Sequence, residues 1–117
     1  MIFDIEVSEQ ADVDLRIIYE YIAFELNSSE NARGQLDRLE ESIMSLDQMP
    51  ERFREYVSEI RNNYGLRIMP VDNYCVLYVT DVEKAKVTII RVMYGGQDID
   101  KQLMNYTQRQ DTNTSYP

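Results

Sequence analysis

Two arginines stand inside otherwise apolar stretches of this chain. Arg67 interrupts the run from Leu66 to Met69, and Arg91 interrupts VTIIRVMY at residues 87–94. An isolated guanidinium is very costly to bury, so each must meet an acid or reach a surface. Three uses are open to them. They can pair with an internal carboxylate, for which Asp98 and Asp72 are the candidates near Arg91, bind a partner, or act on an anionic group. Other chemistries are closed by composition. The chain has no histidine, so neither a His-based triad nor a zinc site can be built. Cys75 is the single cysteine, which rules out an intrachain disulfide and a CxxC site. No metal and no cofactor is expected.

The arginines need a sheet to hold them. Residues 65–70 alternate Leu66 and Ile68 against Arg67 and Met69, and Val71, Asp72 and Asn73 form a turn. Residues 74–80, YCVLYVT, are apolar on both parities, as an interior strand would be. A polar turn at residues 81–84 leads to a third strand, KVTIIRVMY, at residues 86–94. Simple alternation would place Val87, Ile89, Arg91 and Met93 on one side and Thr88, Ile90, Val92 and Tyr94 on the other. Short polar links predict an antiparallel meander rather than βαβ crossovers. Gly95 and Gly96 let the chain turn sharply, and residues 98–104 predict a short helix.

The N-terminal half supplies the packing. Residues 2–7, IFDIEV, alternate apolar and acidic residues and read as a half-buried strand. Ser8 sits where an N-cap belongs, and Ala11, Leu15, Ile18, Ile22 and Leu26 make one face of a helix. Val13, Ile17, Tyr21 and Phe24 make its opposite face apolar too. That pattern fits a helix wedged between a sheet and a second helix, or a face left for a partner. After the break at Asn27, Ala32, Leu36, Leu39, Ile43 and Leu46 form a narrow seam suited to packing along the first helix. Met49-Pro50 closes the second helix. A mixed-charge connector, residues 50–63, follows, in which Phe53, Tyr56 and Val57 can pin the segment to the core.

The expected architecture is α+β: an N-terminal strand, an antiparallel two-helix hairpin, a three-stranded antiparallel meander and a short C-terminal helix. The hairpin should cover one face of the sheet and leave the other partly open. With 117 residues, one domain is expected over residues 1–104, followed by a flexible polar tail at 105–117. No run reaches the roughly 20 apolar residues of a membrane span, and residues 1–9 lack a signal-peptide pattern, so a cytoplasmic location is expected. The net charge of −9 argues against general nucleic-acid binding. All of that excess lies in residues 1–50, which hold twelve acids and three bases, while residues 51–117 hold nine of each.

Taken together, the opening strand with SEQADVDLRIIYEYIA, then LDRLEESIMSLDQMPERFR, GLRIMPVDNYCVLYV and VTIIRVMYGGQDI resemble the RelE/ParE superfamily. These are toxins of bacterial type II toxin–antitoxin systems, also called plasmid stabilization proteins. The resemblance covers about residues 1–103, and its ParE-like branch fits the long helix pair and the PERFR segment. It implies a RelE/ParE-like fold and a cognate antitoxin whose C-terminal segment folds onto the toxin. For a ParE-like member it implies inhibition of DNA gyrase by protein–protein contact. For a RelE-like member it implies ribosome-dependent mRNA cleavage, for which Arg67, Arg91 and Tyr94, with Arg61, are the residues this chain offers. No lysine occurs in residues 51–63, where the nuclease branch is lysine-rich. The preferred expectation is therefore a binder, with Arg67, Arg91, Tyr94, Gln97 and Asp98 at or beside the partner surface. Members often carry arginine before the acid that follows the glycines, and here that residue is Gln97. Either toxicity is weakened, leaving a non-toxic binding module, or that arginine served only to pair with Asp98.

Overall fold

The computed structural model describes residues 1–56, 65–95 and 99. Its elements run β1 (Asp4–Val7), α1 (Glu9–Glu20), α2 (Ser29–Met44), β2 (Arg67–Val71), β3 (Tyr74–Asp81) and β4 (Lys86–Tyr94). The expected meander is present, with β2–β3 and β3–β4 antiparallel. β1 adds to it on the far side of β4, in parallel, to give the order β1-β4-β3-β2. The sheet is therefore mixed, and β4 is an interior strand. It is apolar on both faces because each packs against an apolar cluster, Val87, Ile89 and Val92 on one side and Ile90 and Met93 on the other.

α1 begins as its sequence requires. The Ser8 hydroxyl accepts the Ala11 N–H at 3.1 Å, and Glu9 and Asp12 lie in the positive first turn. Ala11, Leu15, Ile18 and Ile22 pack with Ala32, Leu39, Ile43 and Leu46 of the second helical segment over one sheet face. The end of α1 departs from the simple pattern. Tyr21–Glu25 forms a π-helical turn, and Asn27 stops the helix at φ 52°, a left-handed value that asparagine tolerates. The extra residue in that turn swings Leu26 off the core stripe, and Leu26 is exposed.

Two expectations about faces need correction. First, the outer apolar face of α1 is not wedged. Val13, Ile17, Tyr21 and Phe24 all remain exposed, because α2 and the sheet together cover only the other side. Second, the sheet face opposite the helices is not open at its centre. Leu66, Ile68, Leu77 and Met93 are buried there, with Tyr56, Cys75, Val79, Ile90 and Ile99 packed against them. The connector and the segment after β4 supply that cover through Tyr56 and Ile99.

β2 would otherwise be a bare edge. Instead the Tyr56 N–H donates to the Leu66 carbonyl at 2.7 Å, and the Ile68 N–H donates to the Arg54 carbonyl at 3.1 Å. Phe53 pins the same connector to the main core, as expected, while Val57 lies outside the described residues. So do Arg61, Gln97, Asp98, most of the expected C-terminal helix and the 105–117 tail.

Candidate functional site

The alternation of β4 is broken by a bulge. Tyr78 faces Ile89 and Leu77 faces Arg91, which leaves Ile90 as the extra residue. Val87, Ile89 and Val92 therefore face the helices, while Ile90 and Met93 join the opposite cluster, unlike the simple two-sided reading. The bulge lies where β1 runs out, since Val7 pairs with Ile89 and, among the described residues, no strand continues on that side of residues 90–94. α1 covers that edge with side chains. The Ser8 hydroxyl donates to the Ile90 carbonyl at 3.1 Å, and Asp14 accepts the Val92 N–H at 3.0 Å.

Asp14 is also the partner of Arg91. Its two oxygens accept Nε at 2.7 Å and Nη2 at 3.0 Å, a bidentate pair in which the side chains are 12% and 6% exposed. Of the acids proposed from sequence, Asp72 is engaged elsewhere, and Asp98 lies outside the described residues. Asp14 was nevertheless readable. It falls three residues after Ala11 and four before Ile18, which places a carboxylate on the buried stripe of α1. A buried acid and a buried arginine in one small domain should have been paired with each other.

Arg67 is placed differently. It faces the helix side of the sheet, where it donates to the Phe53 carbonyl at 2.7 Å and the Glu51 carbonyl at 3.3 Å. Its Nη2 lies 3.4 Å from Glu51 and 3.6 Å from Glu55. Arg67 thus clamps the connector to β2. β3 stands between the two arginines, and each guanidinium turns to its own carboxylates. They do not converge on a common anion.

Tyr94 does reach a concave surface. A cleft of ≈ 1140 Å³ opens between α1, α2 and the end of β4, with Ile17, Tyr21, Leu26, Tyr74 and Tyr94 along it. Tyr74 and Tyr94 meet edge to face at 5.9 Å, and about half of Tyr94 is exposed. Burial pushes the Tyr74 phenol above its ordinary value, with Tyr94 and Tyr21 adding to the effect, so it stays neutral. Burial likewise raises the Cys75 thiol, which makes it a poor nucleophile. Among the described residues, no cluster could hold a metal ion.

One wall of the cleft is fixed by Asp72 at the β2–β3 turn, where φ is 54°. Its carboxylate accepts Arg38 Nε at 2.8 Å and Gln35 Nε2 at 2.9 Å, tying the turn to α2. Those bonds, that from Arg38 foremost, hold the Asp72 carboxyl below its ordinary value of 3.8. A depressed folded-state value stabilises the fold above the unfolded value, and the gain disappears as pH falls through the folded one. In urea titrations from pH 6 to pH 2.5, wild type should therefore lose more stability than Asp72→Asn. Parallel curves would show that the link contributes nothing.

Residues 5–99 match the family described as "ParE toxin of type II toxin-antitoxin system, parDE". No curated protein matches the chain in sequence. Among solved structures, one from the chromosomal ParDE TA system of P. aeruginosa superposes with a TM-score of 0.65 at 18% identity, over 80% of this chain and 96% of that one. One from the RelBE2 toxin–antitoxin complex of Mycobacterium tuberculosis gives 0.59 at 21% identity, over 80% and 99%. A mutant of E. coli toxin RelE in the free state gives 0.56 at 14% identity, over 82% and 86%. At these identities the structures share the fold.

Proposed function

Because this chain belongs to the ParE toxin family of type II toxin–antitoxin systems, we propose that it is a toxin that binds DNA gyrase and is neutralised by a cognate antitoxin. The observation that carries the choice of binding over RNA cleavage is the state of the two strand arginines. Arg91 is held by Asp14, and Arg67 by Glu51, Glu55 and two carbonyls. A nuclease without histidine or metal would need free cations to stabilise the charge that develops on the phosphate. Here each guanidinium is already held by carboxylates of the fold, Arg91 by Asp14 and Arg67 by Glu51 and Glu55. The surface left for work is the apolar one: the exposed stripe of α1 and the tyrosine-lined cleft beside it, which in this reading receive the antitoxin.

The reading is tested by inducing the chain with and without its neighbouring gene, and by two assays on the purified protein. Growth should stop only when the chain is expressed alone. Gyrase supercoiling of plasmid DNA should fall with added protein, while mRNA in a ribosome-programmed translation stays intact. Cleaved mRNA with unaffected gyrase would establish the RelE-like alternative. Normal growth, with both assays negative, would leave a binding module without toxicity.

A further inference from the structure

The face that carries the exposed stripe of α1 has an electrostatic sign. Val13, Ile17, Tyr21 and Phe24 follow one another at helical spacing and are exposed. Glu20 projects beside Ile17 and Phe24, Glu25 follows Phe24, and Glu30 lines the cleft. All three acids are exposed, and none has a cationic partner among the described residues. The cations that border the cleft are already used, Arg38 by Asp72 and Arg91 by Asp14. What remains is an apolar strip flanked by uncompensated negative charge.

The same face limits the shape of its occupant. Among the described residues, the stretch of β4 edge that β1 leaves free is closed at Ile90 by the Ser8 hydroxyl and at Val92 by the Asp14 carboxylate. A peptide cannot pair its backbone there without displacing both. From Val13 to Phe24 the strip spans roughly 16 Å of helix axis, about three turns. That length suits a short amphipathic helix laid along it.

We propose that the partner segment seated on this face is an amphipathic helix whose apolar stripe is flanked by lysine or arginine. This rests on the reading that an antitoxin binds here, and it adds that the segment is basic. Electrostatic complementarity of this kind sets partner choice and makes association sensitive to salt.

Three synthetic helical peptides test it against the full-length chain. They share one apolar stripe and carry lysine, glutamine or glutamate beside it, and a fourth lysine-rich peptide lacks the stripe. Fluorescence anisotropy at 50 mM salt should show the lysine-flanked peptide binding about tenfold or more tighter than the glutamate-flanked one. The gap should shrink in 300 mM salt, and the stripe-free peptide should not bind. Ile17→Asp, on an exposed side chain, should abolish binding while the melting temperature stays put. Glu20→Lys combined with Glu25→Lys should erase the preference. Equal affinity for the lysine and glutamate peptides, or binding indifferent to Ile17→Asp, overturns the proposal. Co-purification with the neighbouring gene's product separates the two readings. If that complex forms but the peptides show no charge preference, the antitoxin reading stands and this inference falls. If the preference is seen and no complex forms, the surface stands and the antitoxin reading falls.

Discussion

Asp14→Ala should destabilise the protein by about 3–5 kcal/mol, the range found when one partner of a buried ion pair is removed. The substitution strands two groups at once. Arg91, only 12% exposed, loses both of its charge-assisted bonds, and the Val92 N–H loses its acceptor. Against a total stability of roughly 5–15 kcal/mol, that is a large share. Thermal unfolding should show the midpoint lowered by roughly 10–20 °C. Replacing both members, Asp14→Leu with Arg91→Met, should restore most of the loss, because well-packed apolar residues often substitute for a buried pair at little cost. Toxicity of that double variant then decides what Arg91 is for. A refolded and toxic double variant makes Arg91 structural. A refolded and harmless one gives it a part in the toxin surface. A single Asp14→Ala variant as stable as wild type would refute the account of the β4 edge altogether.

Leu77→Ala should cost about 2–5 kcal/mol, the range for truncating a buried leucine. Leu77 has no exposed surface and lies on the sheet face away from the helices, among Leu66, Ile68 and Met93. On an open sheet face the same change would cost well under ~1 kcal/mol. Leu26→Ala is the control, since Leu26 is more than half exposed. Denaturant unfolding of the two variants reads the difference directly. Equal, small effects would mean that the second face is available to a partner and that the contacts of Tyr56 and Ile99 do not close it.

The elements were largely legible in the sequence. Ser8 as a cap, the stripe from Ala11 to Ile22, the seam from Ala32 to Leu46 and the three meander strands all lie where local pattern put them. Each depends on neighbours a few residues away, and local periodicity carries that information. The candidate site was legible only in part. Tyr94 does line a cleft, and the second apolar face of α1 marked an unpartnered surface. That Arg91 needs an acid was legible, but Asp14 was not singled out, because it lies 77 residues away on a helix that reaches the strand only after the chain has folded back.

Residue types and spacing by themselves determined that this is an α+β chain without histidine, with two arginines that needed company. Which company, and on which face, was decided by tertiary structure. The parallel addition of β1 put α1 along the edge of β4, and the bulge at Ile90 let Arg91 meet Asp14 there. Strand periodicity is blind to both events, because a parallel pairing joins distant segments and a one-residue bulge shifts every side chain beyond it to the other face.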